Sequence, residues 1–512
     1  MSFDPSPGSI FEVKTGQRLG PSDCLERAGA RMRSFESRGM SPGDRVFLGY
    51  GNRIDFFMDL LAIWSLGASA IPLDSHITRF ELGNLTATAT PRFFMHDDKL
   101  DAGFRALLDE QEITLIDTTP GAGLTIDASP SNSGAVLDRL NSATGEALIL
   151  FTSGSTDQPK GVVHTHESLR AKWQSLAAEF DSRTFRRTLC MLPTHFGHGL
   201  ICNALFPWLT GHELFLLPSF STQSVMSLGE VLTRHEITFL SSVPAIWQLA
   251  LKTPRPRKPK LIEVFCGSAP LSISLWNQIT DWCGGGAVRN VYGITETGSW
   301  IAGSRKGAEP MDGLVGGGWG TSFRITEGSG PDHAPDNGVS YPRGTVGHIW
   351  ANTSALMEGY LDRQDLTDQV VSQGWFSTGD IGKIDAEGQL ILKGRERDEI
   401  NRGGMKVYPA DIEAAVSSFP AVLDCCSFAC SDPHYGQSVG VALVMEKSDQ
   451  ATLRAVYRWT IDRLADHKIP TFWYMLDEIP KTNRGKVKRN ELAEHCAGLI
   501  PVDMARILGQ AT

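Results

Sequence analysis

Four groups of side chains along this chain have the types and spacing to do chemistry on phosphates. The first is Thr152-Ser153-Gly154-Ser155-Thr156, followed by Pro159-Lys160-Gly161. It comes straight after an apolar run, Leu148-Ile149-Leu150-Phe151, of the kind that makes a buried strand. Small residues let backbone N–H groups crowd round an anion, hydroxyls add donors, and Lys160 supplies a mobile positive charge. Such a loop can hold a polyphosphate. Composition alone also fits a flexible Ser/Gly linker, but the strand before the loop and the lysine at its end weigh against that. The common P-loop is excluded, because it needs Gly-Lys-Ser/Thr opening a helix.

The second group is Tyr292-Gly293-Ile294-Thr295-Glu296, where a strand ends and a glycine turns the chain. Thr295 can bond a phosphate, Glu296 can hold Mg²⁺ through oxygen, and Tyr292 offers an aromatic face for a purine. The third is Asp380 and Arg395, on either side of the hairpin turn Asp385-Ala386-Glu387-Gly388. The fourth is Lys486, preceded by Gly485 in a basic stretch near the C-terminus. Taken singly, the last three are ordinary polar turns and solvated charges.

Taken together, in this order and at this spacing, they resemble the signatures of the adenylate-forming (AMP-binding) enzymes: acyl-CoA synthetases, adenylation domains and luciferase-like proteins. The resemblance covers nearly the whole chain. Its motifs are TSGSTGxPKG, YGxTE, TGD with GR, and PxTxxGKxxR. The chain departs from the first at Asp157, where glycine is usual, and at Arg397, the hinge position usually held by aspartate or lysine. The resemblance implies that Thr152, Ser153, Gly154, Ser155, Thr156 and Lys160 clamp the ATP phosphates. Tyr292, Gly267, Ser268, Asp380 and Arg395 would take adenine and ribose, Glu296 would face Mg²⁺, and Thr295 the α-phosphate. Lys486 would be the catalytic lysine. Gly403 and Gly404 would reach the thiol channel after the small domain rotates about Arg397.

The implied reaction has two steps. A carboxylate attacks the α-phosphorus of ATP to give an acyl-adenylate, and a thiol then displaces AMP. The acyl pocket is expected around His195, Phe196, His198, Gly293 and Trp300. Amino-acid-activating relatives place an aspartate near Phe196-Gly197-His198; none stands here, so an acid without an α-amino group is expected. His195 and His198 would gate the thiol tunnel or meet a polar acyl group, or simply start a helix. Trp300, just past the glycine of TETG, implies a short or compact acid. No phosphopantetheine-bearing serine motif occurs in the tail. The acceptor is therefore expected from outside, with coenzyme A first and a separate acyl carrier protein second. A catalytically silent AMP sensor is the reading from another class; it would be expected to lack Lys486 or Glu296, and both are present.

The elements that must position these groups alternate. Helix patterns from Ser22 or Asp23 to Gly39 and from Ile54 to Leu66 are interleaved with strands at 44 to 50, 187 to 192, 212 to 217, 237 to 243 and 261 to 269. A helix is expected to begin near Gly197. The fold class is therefore α/β. A large N-terminal domain of helix-covered sheets with a barrel-like part is expected over 1–394, and a small mobile α+β domain over 395–512. With 512 residues the chain can build both. A net charge of −10 argues against nucleic acid as a partner. Nine cysteines without a CxxC pair, and no signal-like N-terminus, point to reduced thiols in a cytoplasm. The longest uncharged apolar run, 60 to 73, is too short to span a bilayer.

Overall fold

The computed structural model describes residues 3–96, 100, 102–118, 133–152, 159–219, 221–335, 340–402, 405–434, 436–447, 449–481, 487–504 and 507. Its first sheet has seven strands, in the order Gly359–Tyr360, Lys160–Thr165, Glu146–Thr152, Ser69–Pro72, Arg45–Leu48, Phe93–His96 and Thr114–Asp117. The last five run parallel, and their apolar sequences fit strands buried on both faces. All twelve residues of helix Ile54–Ser65 are buried. Its two carboxylates need partners there, and Arg31 supplies them, at 2.9 Å from Asp55 and 3.2 Å from Asp59. Arg31 belongs to helix Pro21–Ser37, whose start differs from expectation. Gly20 is the N-cap, Pro21 takes the first helical turn, and Asp23 accepts from the Gly20 amide at 2.9 Å.

A second, fourteen-stranded sheet carries most of the chemistry. Its parallel part has six strands: Ile10–Glu12, Glu213–Leu216, Arg187–Cys190, Phe239–Ser242, Glu263–Gly267 and Ala287–Ile294. The carboxyl ends of these strands open along one edge, the place where open α/β sheets receive ligands. A second part is antiparallel and is the one expected to be barrel-like. It runs through Ser299–Gly303, Leu314–Gly318, Leu390–Arg395, Trp375–Ile384, Gly347–Thr353 and Thr321–Thr326. Two of these strands, Leu314–Gly318 and Thr321–Thr326, lie in a glycine- and proline-rich stretch, residues 303 to 347. The hairpin at Asp385 closes as expected, with Gly388 at φ +81° and its amide donating to the Asp385 carbonyl.

The chain leaves this sheet at Arg395, passes a 3₁₀ turn at Glu396–Asp398, and enters a five-stranded sheet at Ile400–Arg402. Helices Pro409–Ser417, Gln450–Ile461 and Arg489–Ala497 accompany it. Ile400, Ile412, Val441, Val456 and Trp473 form part of a core separate from that of the large sheets. Each such side chain contributes about 1.5–3 kcal/mol on burial. No helix among the described residues is long and apolar enough to cross a membrane.

Candidate active site

Strands Glu146–Thr152 and Lys160–Thr165 pair antiparallel, with Thr152 opposite Lys160. The two ends of the phosphate loop therefore lie face to face. Ser153, Gly154, Ser155, Thr156 and Asp157 lie outside the described residues. Strand Gly359–Tyr360 pairs with Val162 and Val163, which brings Tyr360 beside Lys160. The Lys160 ammonium sits 5.3 Å over the Tyr360 ring, and the Tyr360 hydroxyl donates to Glu296 Oε1 at 2.8 Å. Burial and the Glu296 charge push the phenol far above its ordinary value, so it remains a donor. Tyr360 was not among the sequence candidates, because its partners are strand neighbours across two sheets and no spacing reveals them. The Glu296 carboxylate keeps acceptor capacity beyond the Tyr360 bond. That suits Mg²⁺, which takes one or two carboxylates and fills its shell with water and phosphate oxygen.

Asp380 and Arg395 are directly opposite across the antiparallel pair, and Arg395 Nε lies 3.0 Å from Asp380 Oδ1. The Tyr292 hydroxyl donates to the other carboxylate oxygen at 2.5 Å. Asp380 raises the Arg395 guanidinium and, together with burial, holds the Tyr292 phenol neutral. Three of the five expected adenine–ribose residues, Tyr292, Asp380 and Arg395, thus form one charged unit. Gly267 and Gly293 serve close backbone approach. A Cβ on Gly267 would lie 2.4 Å from the Val291 carbonyl oxygen, and one on Gly293 2.4 Å from that of Ser299.

The turn bearing Thr295 and Glu296 is gripped by three buried side chains through its carbonyls. His164 Nε2 donates to Thr295 O at 2.8 Å, Cys202 Sγ to Gly298 O at 3.3 Å, and Lys172 Nζ to Trp300 O at 2.7 Å. Burial lowers His164 to about 4 and Lys172 to about 8. None of the three was singled out from sequence.

The expected acyl-pocket residues do not stay together. His195 turns to Asp74, in the loop after strand Ser69–Pro72, 3.7 Å from its carboxylate, with Phe196 against its ring. His198 instead opens a π-helix, His198–Leu205, where an ordinary helix was expected. Such π segments often mark functional sites. Its Nδ1 lies 2.7 Å from Ser268 Oγ and its Nε2 2.7 Å from Ser241 Oγ. Burial lowers this imidazole to about 3, so it is neutral. Trp300 packs edge-on to it at 5.7 Å but is fully buried, with Phe265 5.0 Å away. Trp300 is therefore as much core as pocket wall.

At the link, Glu396 accepts from Ser329 Oγ at 2.9 Å on the large-sheet side. Asp398 lies 3.5 Å from Arg489 Nε on the other side. Arg489 also forks onto Glu413 at 2.6 and 3.0 Å. Arg397 stands between these two anchors, its Nε 3.7 Å from Asp398. Gly403, Gly404 and Lys486 lie outside the described residues. The ends flanking the lysine loop are described: Lys481 bridges antiparallel to Val487 and pairs with Asp424 at 2.5 Å.

The family profile described as AMP-binding enzyme matches residues 7–361, and that of the AMP-binding enzyme C-terminal domain matches 411–486. The chain belongs to the AMP-binding enzyme family. Among relatives in this family, a probable CoA ligase, CCL9, from Humulus lupulus is 28% identical over 89% of this chain and 87% of its own. An oxalate–CoA ligase from Arabidopsis thaliana is 27% identical over 92% of each. Among solved AMP-binding structures, an ATP-bound RpMatB–BxBclM chimera superposes with a TM-score of 0.81 at 25% identity, covering 97% of both chains.

Proposed function

We propose that this protein is an ATP-dependent acid–thiol ligase that activates a small carboxylic acid as its adenylate and passes the acyl group to coenzyme A. The observation that carries the reading is the meeting of two charged units where the two large sheets adjoin: Lys160–Tyr360–Glu296 and Tyr292–Asp380–Arg395, with the Glu296 charge felt at Arg395. The chemical difficulty of the first step is bringing a carboxylate to a polyphosphate. Lys160 and the loop after Thr152 neutralise the leaving pyrophosphate, and Thr295 meets the α-phosphate. Mg²⁺ at Glu296 adds charge compensation. Asp380 and Arg395 hold ribose, with Tyr292 against the adenine. Lys486 reaches the reacting oxygen from the small domain.

The small domain is taken to begin at 395, beside the stretch where the chain passes from strand Leu390–Arg395 to strand Ile400–Arg402 of the five-stranded sheet. In this reading Arg397 is the pivot between the Glu396 and Asp398 anchors, and rotation about it exchanges Lys486 for Gly403-Gly404 at the site. Two relatives named as CoA ligases support coenzyme A as the acceptor over a carrier protein.

ATP–pyrophosphate exchange with a panel of acids tests the proposal. Wild type should exchange with at least one compact acid, and Lys486→Ala should lose about 10²–10³-fold. Absence of exchange with every acid would sink it in favour of a nucleotide sensor. Adding coenzyme A and then candidate carrier proteins identifies the acceptor.

A further inference from the structure

The Ser241–His198–Ser268 chain, buried at Ser241 and His198 and exposed at Ser268, has a direction, and that direction identifies a feature of the acid. Ser241 is fully buried, and its hydroxyl has no hydrogen-bond partner among the described residues other than His198 Nε2, at 2.7 Å. If Nε2 carried the imidazole proton, the Ser241 hydroxyl proton would be left buried without an acceptor. Satisfaction therefore assigns Nε2 as acceptor and Nδ1 as donor. Nδ1–H is directed at Ser268 Oγ, 2.7 Å away. Ser268 has its oxygen engaged as an acceptor and its own proton left over, and it lies exposed at the mouth of the site. It also stands at φ +64°, a backbone region where glycine is unstrained and serine is not. A hydroxyl on a strained backbone, its oxygen engaged by a buried imidazole and its proton directed outward, is arranged to donate.

We propose that the Ser268 hydroxyl donates a hydrogen bond to a second oxygen of the substrate, which is therefore a compact carboxylic acid carrying a further carboxylate, carbonyl or hydroxyl oxygen. This rests on the ligase reading above and goes further by naming a substrate class. The reacting carboxylate itself belongs beside Thr295 and Glu296. Those residues follow strand Ala287–Ile294, whereas Ser268 follows the neighbouring strand, where Gly267 is paired with Val291. Behind the relay, the Trp300 ring closes against His198, so an acid held here must be short or flat. The relay is uncharged, so it recognises an acceptor atom without requiring a full negative charge. Ser268 was assigned above to the nucleotide side from resemblance; the direction of the relay assigns its hydroxyl to the acid.

The test compares acids that differ by one oxygen function, by ATP–pyrophosphate exchange: malonate against propionate, and 4-hydroxybenzoate against benzoate. The first pair probes a carboxylate and the second a hydroxyl. Wild type should prefer the oxygen-bearing member of at least one pair. Ser268→Gly, which relieves the backbone strain, should reduce that preference in kcat/KM about 10–100-fold. Ser241→Ala, which touches no ligand, should reduce it less, about 3–10-fold, by letting the tautomer scramble. Nitrogen NMR of His198 should report the Nδ1–H form in wild type and a mixture in Ser241→Ala. Two results would overturn the inference alone: preference for the oxygen-free acids, or a Ser268→Gly loss equal for every acid and traceable to KM for ATP. Exchange with no acid at all would overturn the ligase reading and this inference with it.

Discussion

On the side proposed to take the nucleotide, each key side chain is charged or bonded to a charge. Lys160 lies over Tyr360, Tyr360 donates to Glu296, and Arg395 and Tyr292 share Asp380. On the side proposed to take the acyl group, a neutral histidine sits between two serine hydroxyls and is backed by an aromatic ring. The difference follows from what each side must hold. Polyphosphate and Mg²⁺ are the same for every substrate and need strong, fixed charge. An acyl group is told apart by where single donors and acceptors fall, which charge would blur.

The largest break in this comparison should come from Glu296→Gln. The amide keeps the shape and a bond to Tyr360 but loses the charge that would hold Mg²⁺. We expect kcat for pyrophosphate exchange to fall about 10²–10³-fold, with excess Mg²⁺ failing to restore it. Asp380→Ala should come next. It strands Arg395 and the Tyr292 hydroxyl at once, and KM for ATP should rise about 10–100-fold while the preference among acids holds.

The third prediction concerns pH. His164 and His166 are lowered to about 4 and His198 to about 3, each chiefly by burial. The folded chain therefore binds fewer protons than the unfolded chain between those values and 6.5. Their stabilising contribution is present above pH 6.5 and is lost as pH falls through that window. Urea unfolding at pH 7 and pH 5 should differ by about 2 kcal/mol for each such histidine. His198→Asn should reduce the difference by one histidine's share. A nucleotide-side variant such as Asp380→Ala should leave that histidine share in place. The smallest effect should be that of Tyr360→Phe, which keeps the ring under Lys160 and removes one hydrogen bond. Exchange should fall about threefold to tenfold, with the Mg²⁺ requirement shifted upward. A Tyr360→Phe variant with wild-type Mg²⁺ dependence would show that the Tyr360–Glu296 bond does not hold the carboxylate in place.

The charged side was the more legible in sequence. Thr152, Lys160, Thr295, Glu296, Asp380 and Arg395 sit in local patterns whose spacing is set by strand ends and turns, so each could be located without knowing its neighbours. The same holds for the alternation that predicts an α/β fold. The acyl side was only half legible. His195 and His198 are three residues apart and looked equivalent, yet one faces Asp74 in the loop after strand Ser69–Pro72 and the other faces Ser241 and Ser268. The π-helical start at His198 separates them, and no periodicity signals it.

The motifs proposed to take polyphosphate, Mg²⁺ and ribose, and the alternation of the elements, are readable in the sequence itself, because short-range geometry and residue type suffice to locate them. The tertiary structure alone decided the partners: Tyr360 on Glu296, Tyr292 on Asp380, and His164, Lys172 and Cys202 on the carbonyls of the Thr295–Trp300 turn. It also decided the direction of the Ser241–His198–Ser268 relay. Hydrogen bonds between residues tens of positions apart depend on which strands become neighbours, and a buried proton's position depends on what else is within reach. Neither is written in any local stretch of chain.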